Sequence, residues 1–168
     1  DTARNRAALY HWFALAFFQA PSAQAVADMR EGETKVLLNS LAATPGASSG
    51  IAAMRKVIAG GEPVSAASAL GTAHARLFDG LGGYEMAPPY RSVYDSKDGL
   101  LCQEATAEME RALRQHRMKR EDKVCEPADH LSIQLDAMAQ LALRVAEEAE
   151  HKARALPPLL AEQADFLD

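Results

Sequence analysis

The sequence predicts an all-α fold, a single-domain multi-helix bundle with a long Gly/Pro loop in its middle. Three observations carry that prediction. Apolar residues recur at helical spacing along nearly the whole chain. No Val/Ile/Thr-rich alternation demands a strand. The 168 residues are 48% hydrophobic and 24% charged, which is apolar material enough for one core in a chain of this size.

The elements follow in order. Residues 3 to about 19 form a first helix with Arg6, Tyr10, Phe13 and Phe17 on one flank. Leu9, Trp12 and Leu15 widen its apolar sector until it is greasy nearly all round, the pattern of a helix buried on several sides. Pro21 stops it, and Ser22 caps a short helix carrying Val26 and Met29, closed by Gly32. Val36, Leu37 and Leu41 support a third helix, ended by Pro45-Gly46. A fourth holds Ile51, Met54 and Val57-Ile58 and halts at Gly60-Gly61. Ser65 opens a fifth whose Leu70, His74, Leu77 and Phe78 share a face.

The pattern then breaks over residues 79 to about 94, a stretch rich in glycine, proline and tyrosine. A long connection inside a compact domain is usually functional or disordered, and Tyr84, Tyr90 and Tyr94 argue against disorder. Leu101, Ala105, Met109, Ala112 and Leu113 resume the helical spacing, and a charged link runs from Arg117 to Cys125. The strongest helix follows, with Leu131, Leu135, Met138, Ala142 and Val145 toward a core. Pro127 suits its first turn and Glu126 its cap. Pro157-Pro158 interrupts, and a last helix spans 159–167. Residues 1–168 therefore read as one domain, a helical half to about 79, a loop over 80–94 and a helical half from about 95. Residues 161–168 are too few to close a bundle, so that part is expected to be incomplete or exchanged between protomers, giving a monomer or a domain-exchanged homodimer.

Composition narrows the function. Eighteen Lys+Arg against twenty-three Asp+Glu leave a net charge of −5, which argues against nucleic acid. The basic residues from Arg111 to Lys123 lack interleaved aromatics and read as a solvated helix end. The apolar run from Leu9 to Phe18 is about half of what a bilayer-spanning helix needs, so no stable membrane insertion is expected. It also lacks the basic flank and small-residue cleavage pattern of a signal peptide. No initiator Met precedes Asp1, so a residue or more is expected to be missing ahead of it. Cys102 and Cys125 do not make a disulfide framework and read as reduced thiols of a cytoplasmic protein.

Motifs of enzymes are missing: no His-Glu-x-x-His, no Gly-x-Ser-x-Gly and no phosphate loop. The histidines at 11, 74, 116, 130 and 151 stand singly, without metal-ligand spacing. Two constellations remain. Pro88-Pro89-Tyr90-Arg91-Ser92-Val93-Tyr94 holds an extended backbone that exposes amphipathic tyrosines, or else makes a rigid crossover whose tyrosines fill gaps. Glu126-Pro127-Ala128-Asp129-His130 puts acids at a helix start, where they complement the macrodipole, beside a histidine that this account does not require. One enzymatic alternative is a nucleotide hydrolase using the Asp129–His130 pair with Tyr90 as acid or base.

Taken together, Arg76-Leu77-Phe78-x-Gly80, Ala87-Pro88-Pro89-Tyr90-x-Ser92-Val93-Tyr94 and Glu126-Pro127-Ala128-Asp129-His130-Leu131 resemble the TorD/DmsD/NarJ family of redox-enzyme maturation chaperones, above all its TorD/DmsD branch. The opening Arg6-x-x-Leu9-Tyr10-x-x-Phe13-Ala14-x-x-Phe17 resembles the family's first helix. The resemblance implies a cytoplasmic, all-helical, non-catalytic chaperone without a cofactor of its own. Its partner would be the precursor of a molybdenum-cofactor oxidoreductase of the trimethylamine-N-oxide or dimethyl-sulfoxide reductase type. It would bind that precursor through the twin-arginine leader and hold it for cofactor insertion before export. Weak guanine-nucleotide binding, linked to some family members, comes with the resemblance as an open alternative, as does a NarJ-like assembly factor that binds the mature subunit. On the matched positions Asp129 would hold a leader arginine with Glu126 as auxiliary acid. His130 would help fix that end of the groove, Pro88, Pro89, Tyr90 and Tyr94 would line its apolar part, and Pro127 and Ser92 would belong to the same peptide-binding site. Two departures stand out. Arg91 puts a cation beside a site meant to attract cations, and His116-Arg117 replaces an expected glycine-containing turn.

Overall fold

A computed structural model describes residues 2–121, 123–151, 162, 163 and 166. Among them are eight α-helices and no strand: α1 (Thr2–Phe18), α2 (Ala23–Met29), α3 (Gly32–Ala42), α4 (Ser48–Ala59), α5 (Pro63–Phe78), α6 (Arg91–Asp95), α7 (Glu104–Gln115) and α8 (Leu131–Glu150). Contacts gather into two compact units, one of Gln19–Pro88 and one of Asp1–Phe18 with Pro89–Asp168. The first helix thus falls in one unit with the C-terminal half of the chain. The expected helix over 159–167 and the Pro157-Pro158 break lie outside the described residues, apart from helical Glu162, Gln163 and Phe166.

In the unit of Gln19–Pro88 the punctuation residues act as the sequence predicts. Ser22 accepts the Ala25 N–H at 3.1 Å and caps α2, whose Val26 is fully buried. Leu38 and Leu41 of α3 and Ile51 and Ile58 of α4 form the buried positions, while Val36 faces solvent. Proline at the first turn starts α5 at Pro63, earlier than the expected Ser65. The loop beyond α5 is not structureless. Residues Gly83–Glu85 make a turn of 3-10 helix, and Ala87 N–H returns to the Leu77 carbonyl at 2.8 Å. Gly82 permits that return, because an added Cβ would overlap the Arg76 carbonyl oxygen.

In the other unit α1 lies antiparallel on α8. Arg4 pairs with Glu150 at 2.8 Å, His11 with Asp136 at 3.5 Å, and the Phe18 ring meets the His130 ring. The buried stripe of α1 is Ala3, Ala7 and Ala14, not the large residues that made it look greasy all round. Small side chains let the α8 backbone approach, as Ala3 against Val145 and Ala146 shows. Leu15 and Phe18 stay 47% and 40% exposed. The core beneath joins α7 and α8 through Met109, Leu113, Ile133, Ala137, Met138 and Leu141. Of the predicted core row, Leu131 and Leu135 are only half-buried, and Met138, Ala142 and Val145 are buried.

The turn after α7 explains the missing glycine. Arg117 itself adopts the left-handed region at φ 56°. Its N–H reaches the Arg114 carbonyl at 3.1 Å, and the Met118 N–H reaches Leu113 at 2.8 Å. That is the paired hydrogen bonding of a Schellman cap, completed by Leu113 and Met118 in the same apolar cluster. Cys102 and Cys125 are exposed free thiols.

Candidate functional site

The two motif stretches meet. Tyr90 and His130 pair as an isolated antiparallel bridge, and the Leu131 N–H donates to the Pro89 carbonyl at 2.7 Å. Proline can accept but not donate, so Pro89 suits this one-sided join. Arg91 N–H reaches the Asp129 carbonyl at 3.3 Å, and the Gln134 side chain donates to the same oxygen at 2.8 Å. The segment 127–129 is a turn and not helix. The cap of α8 is therefore His130, four residues later than the expected Glu126. The Ser132 N–H at 3.1 Å and its hydroxyl at 2.6 Å both meet His130 Nδ1, which leaves the ring proton on Nε2.

Asp129 is the pin of this join. It is 0% exposed. Its Oδ2 accepts the Ser92 N–H at 2.8 Å and its Oδ1 accepts the Thr106 hydroxyl at 2.7 Å. Burial alone would raise its pKa, but the hydrogen bonds from Ser92, Thr106 and its own backbone hold it below the ordinary value of 3.8. The carboxylate thus satisfies the first turn of α6 from outside that helix and ties α6, α7 and α8 together. The residue expected to hold a guest arginine thus has each carboxylate oxygen hydrogen-bonded within the frame and is buried.

The neighbours divide into frame and rim. Ser92 and Pro89 are buried with Asp129, and Pro127 is half-buried. Glu126 is half-buried too, and it accepts the Tyr90 hydroxyl at 2.6 Å. The Tyr90 ring stands edge-on to His130, centroids 4.9 Å apart. Tyr94 points to solvent, 65% exposed. Pro88 is half-buried and is the last residue of the other compact unit. Arg91, the departure beside the site, is neutralised by Asp95 at 2.7 Å and Glu108 at 3.0 Å. Arg91 and Glu108 share with Asp129 and Gln134 the wall of a cavity of about 310 Å³.

Sequence reasoning missed the groove itself. Between α1, α8 and the 118–124 link runs an apolar cavity of about 330 Å³ with Leu15, Phe18, Met118, Val124 and Ile133 in its lining. Ser132 and Phe18 line it and also contact His130 of the frame. On the opposite wall Arg120 lines it and donates to the Glu126 carbonyl. Thr106 and Gln134, which fix Asp129, and Asp136, in the groove wall, were likewise not singled out. Spacing along one helix gives no signal for a partner 23 residues away. Among the described residues no group of His, Cys, Asp or Glu could hold a metal ion, and no helix is long and apolar enough to cross a membrane.

A family model described as nitrate reductase delta subunit matches residues 42–168. The chaperone protein TorD of Ferrimonas balearica is 33% identical over 167 residues, covering 94% of this chain and 76% of the relative. This chain belongs to the TorD/NarJ family of redox-enzyme maturation chaperones. The TorD chaperone of Vibrio cholerae is similar at 32% identity over 97% of this chain and 73% of its own length. That of Vibrio vulnificus reaches 43%, over 58 residues. No solved structure matches. As a family member the chain is a chaperone and not an enzyme.

Proposed function

We propose that this TorD-family chain acts in the cytoplasm as the chaperone of a molybdenum-cofactor reductase of the trimethylamine-N-oxide or dimethyl-sulfoxide type, and that it binds the precursor's twin-arginine leader. Such a leader is a short basic segment followed by an apolar one. The observation that carries the reading is the apolar groove whose lining residues Phe18 and Ser132 touch His130 in the frame built by the two family motifs. The groove takes the apolar part of the leader, and Tyr90, Glu126 and His130 shape its end. Asp129 acts through them as a positioning residue. No cofactor of the chaperone's own enters this reading, and guanine nucleotide stays a separate question for a binding assay.

The test is a titration of the chain with a synthetic peptide carrying paired arginines ahead of an apolar stretch. Micromolar saturable binding supports the proposal, and no heat of binding with the leaders of candidate reductases contradicts it. A second reading, a NarJ-like assembly factor, draws support from the description of the matching family model. It differs in one measurable respect. An assembly factor retains a leader-less mature subunit in a pulldown, whereas a leader-reading chaperone loses it.

A further inference from the structure

We propose that Asp136, in the α8 wall of the groove, is the acceptor for a guest arginine, and that a bound leader runs with its basic end toward His11 and its apolar end toward Phe18. This rests on the leader-binding reading above. Three features of the groove support it.

Asp136 is accessible. Its side chain is 46% exposed and lines the groove. Its partners are exchangeable. His11 Nδ1 stands 3.5 Å from Oδ1, itself more than half exposed, and the Gln140 amide donates to Oδ2 at 2.9 Å. A guanidinium carries several donors in a planar fork and can meet both carboxylate oxygens at once, which His11 and Gln140 do only jointly.

Polarity also runs along the groove. Phe18, Ser132 and Ile133 lie at the end nearest the start of α8, while His11, Asp136 and Gln140 lie further along the helix. The first turn of α8 carries the partial positive charge of a helix N-terminus, which repels a cation from the His130 end and fades within that turn. Asp136 is the sixth residue of α8, beyond its reach. The other acid in the lining, Glu121, has the bases Lys119 and Arg120 beside it in sequence, which weaken its pull on a guest cation. An arginine at Asp136 with apolar residues toward Phe18 therefore satisfies the groove in one orientation and not the reverse.

The experiment measures fluorescence anisotropy of two labelled peptides, one with paired arginines before an apolar stretch and one with glutamines in their place. Wild type, Asp136→Asn and Glu147→Gln are each titrated with both. Asp136→Asn should weaken the arginine peptide about five- to tenfold, the range for losing one partly desolvated ion pair, and leave the glutamine peptide unchanged. Glu147→Gln, at an exposed acid of α8 outside the groove lining, should shift neither peptide more than about twofold. Equal affinity of wild type and Asp136→Asn for the arginine peptide overturns the inference and leaves leader binding standing. An equal loss in Glu147→Gln also overturns it, because the effect would then be one of net charge. Failure of wild type to bind either peptide overturns the leader-binding reading itself. The glutamine peptide controls for folding, since a collapsed groove would lose both.

Discussion

The Asp129 carboxylate lies 2.8 Å from the backbone nitrogen of Ser92, so one buried acid closes the first turn of a helix 37 residues earlier in the chain. Joined to the 2.7 Å contact with Thr106, it makes the Glu-Pro-x-Asp-His motif an architectural device first and a binding element only at its rim.

Stability should therefore depend on acidity through this residue. Its folded-state pKa is lowered, so the stabilisation is fully present above the unfolded value of about 3.8 and is lost as pH falls through that value toward the folded one. Melting temperature measured from pH 7 down to pH 3 should fall more steeply for wild type than for Asp129→Asn. At pH 7 the variant should be less stable by about 1–3 kcal/mol, because an amide group turns a donor toward donors. Parallel pH profiles would show that the carboxylate contributes nothing specific.

Thr106 supplies the second hydrogen bond to the buried carboxylate. Thr106→Val keeps the shape and removes the donor, and should cost about 1–2 kcal/mol in urea denaturation. Thr106→Ser should recover most of that. An undiminished Thr106→Val variant would mean that water replaces the hydroxyl.

Arg117 holds a left-handed conformation that costs a residue with a Cβ roughly 1–2 kcal/mol. Arg117→Gly should raise the melting temperature by about 2–4 °C for each kcal/mol recovered, and Arg117→Ala should not. A lowered melting point for the glycine variant would show that the Arg117 side chain stabilises the turn by more than its backbone strain.

His130 caps α8 through Nδ1. His130→Ala should destabilise by about 0.5–2 kcal/mol, and His130→Asn, which keeps a capping acceptor, by less. Equal losses would place the value of His130 in its ring contacts with Tyr90 and Phe18 instead.

Local signals were legible wherever the decisive partner is near in sequence. Ser22 caps α2, Gly60-Gly61 ends α4 and the apolar spacing of α7 marks Ala105, Met109 and Leu113, each by interactions within a few residues. The start of α8 was misread for the opposite reason. Pro127 and the acids around it fit a first helical turn, but Asp129 is drawn out of the helix by Ser92 and Thr106. The α1 interface was hidden because its buried face is alanine, while the conspicuous Leu15 and Phe18 serve a groove that exists only once α8 is alongside. The motif residues come together in one frame, but spacing carries no information on burial, which separates Asp129 from Asp136.

The most direct test places a charge on the groove floor. Leu15 lines the groove and is exposed enough for substitution without loss of core. Leu15→Glu should melt like wild type, yet bind the twin-arginine peptide at least about tenfold more weakly, because its carboxylate must be desolvated against the apolar segment. Unchanged affinity in a correctly folded Leu15→Glu variant would show that the peptide lies elsewhere.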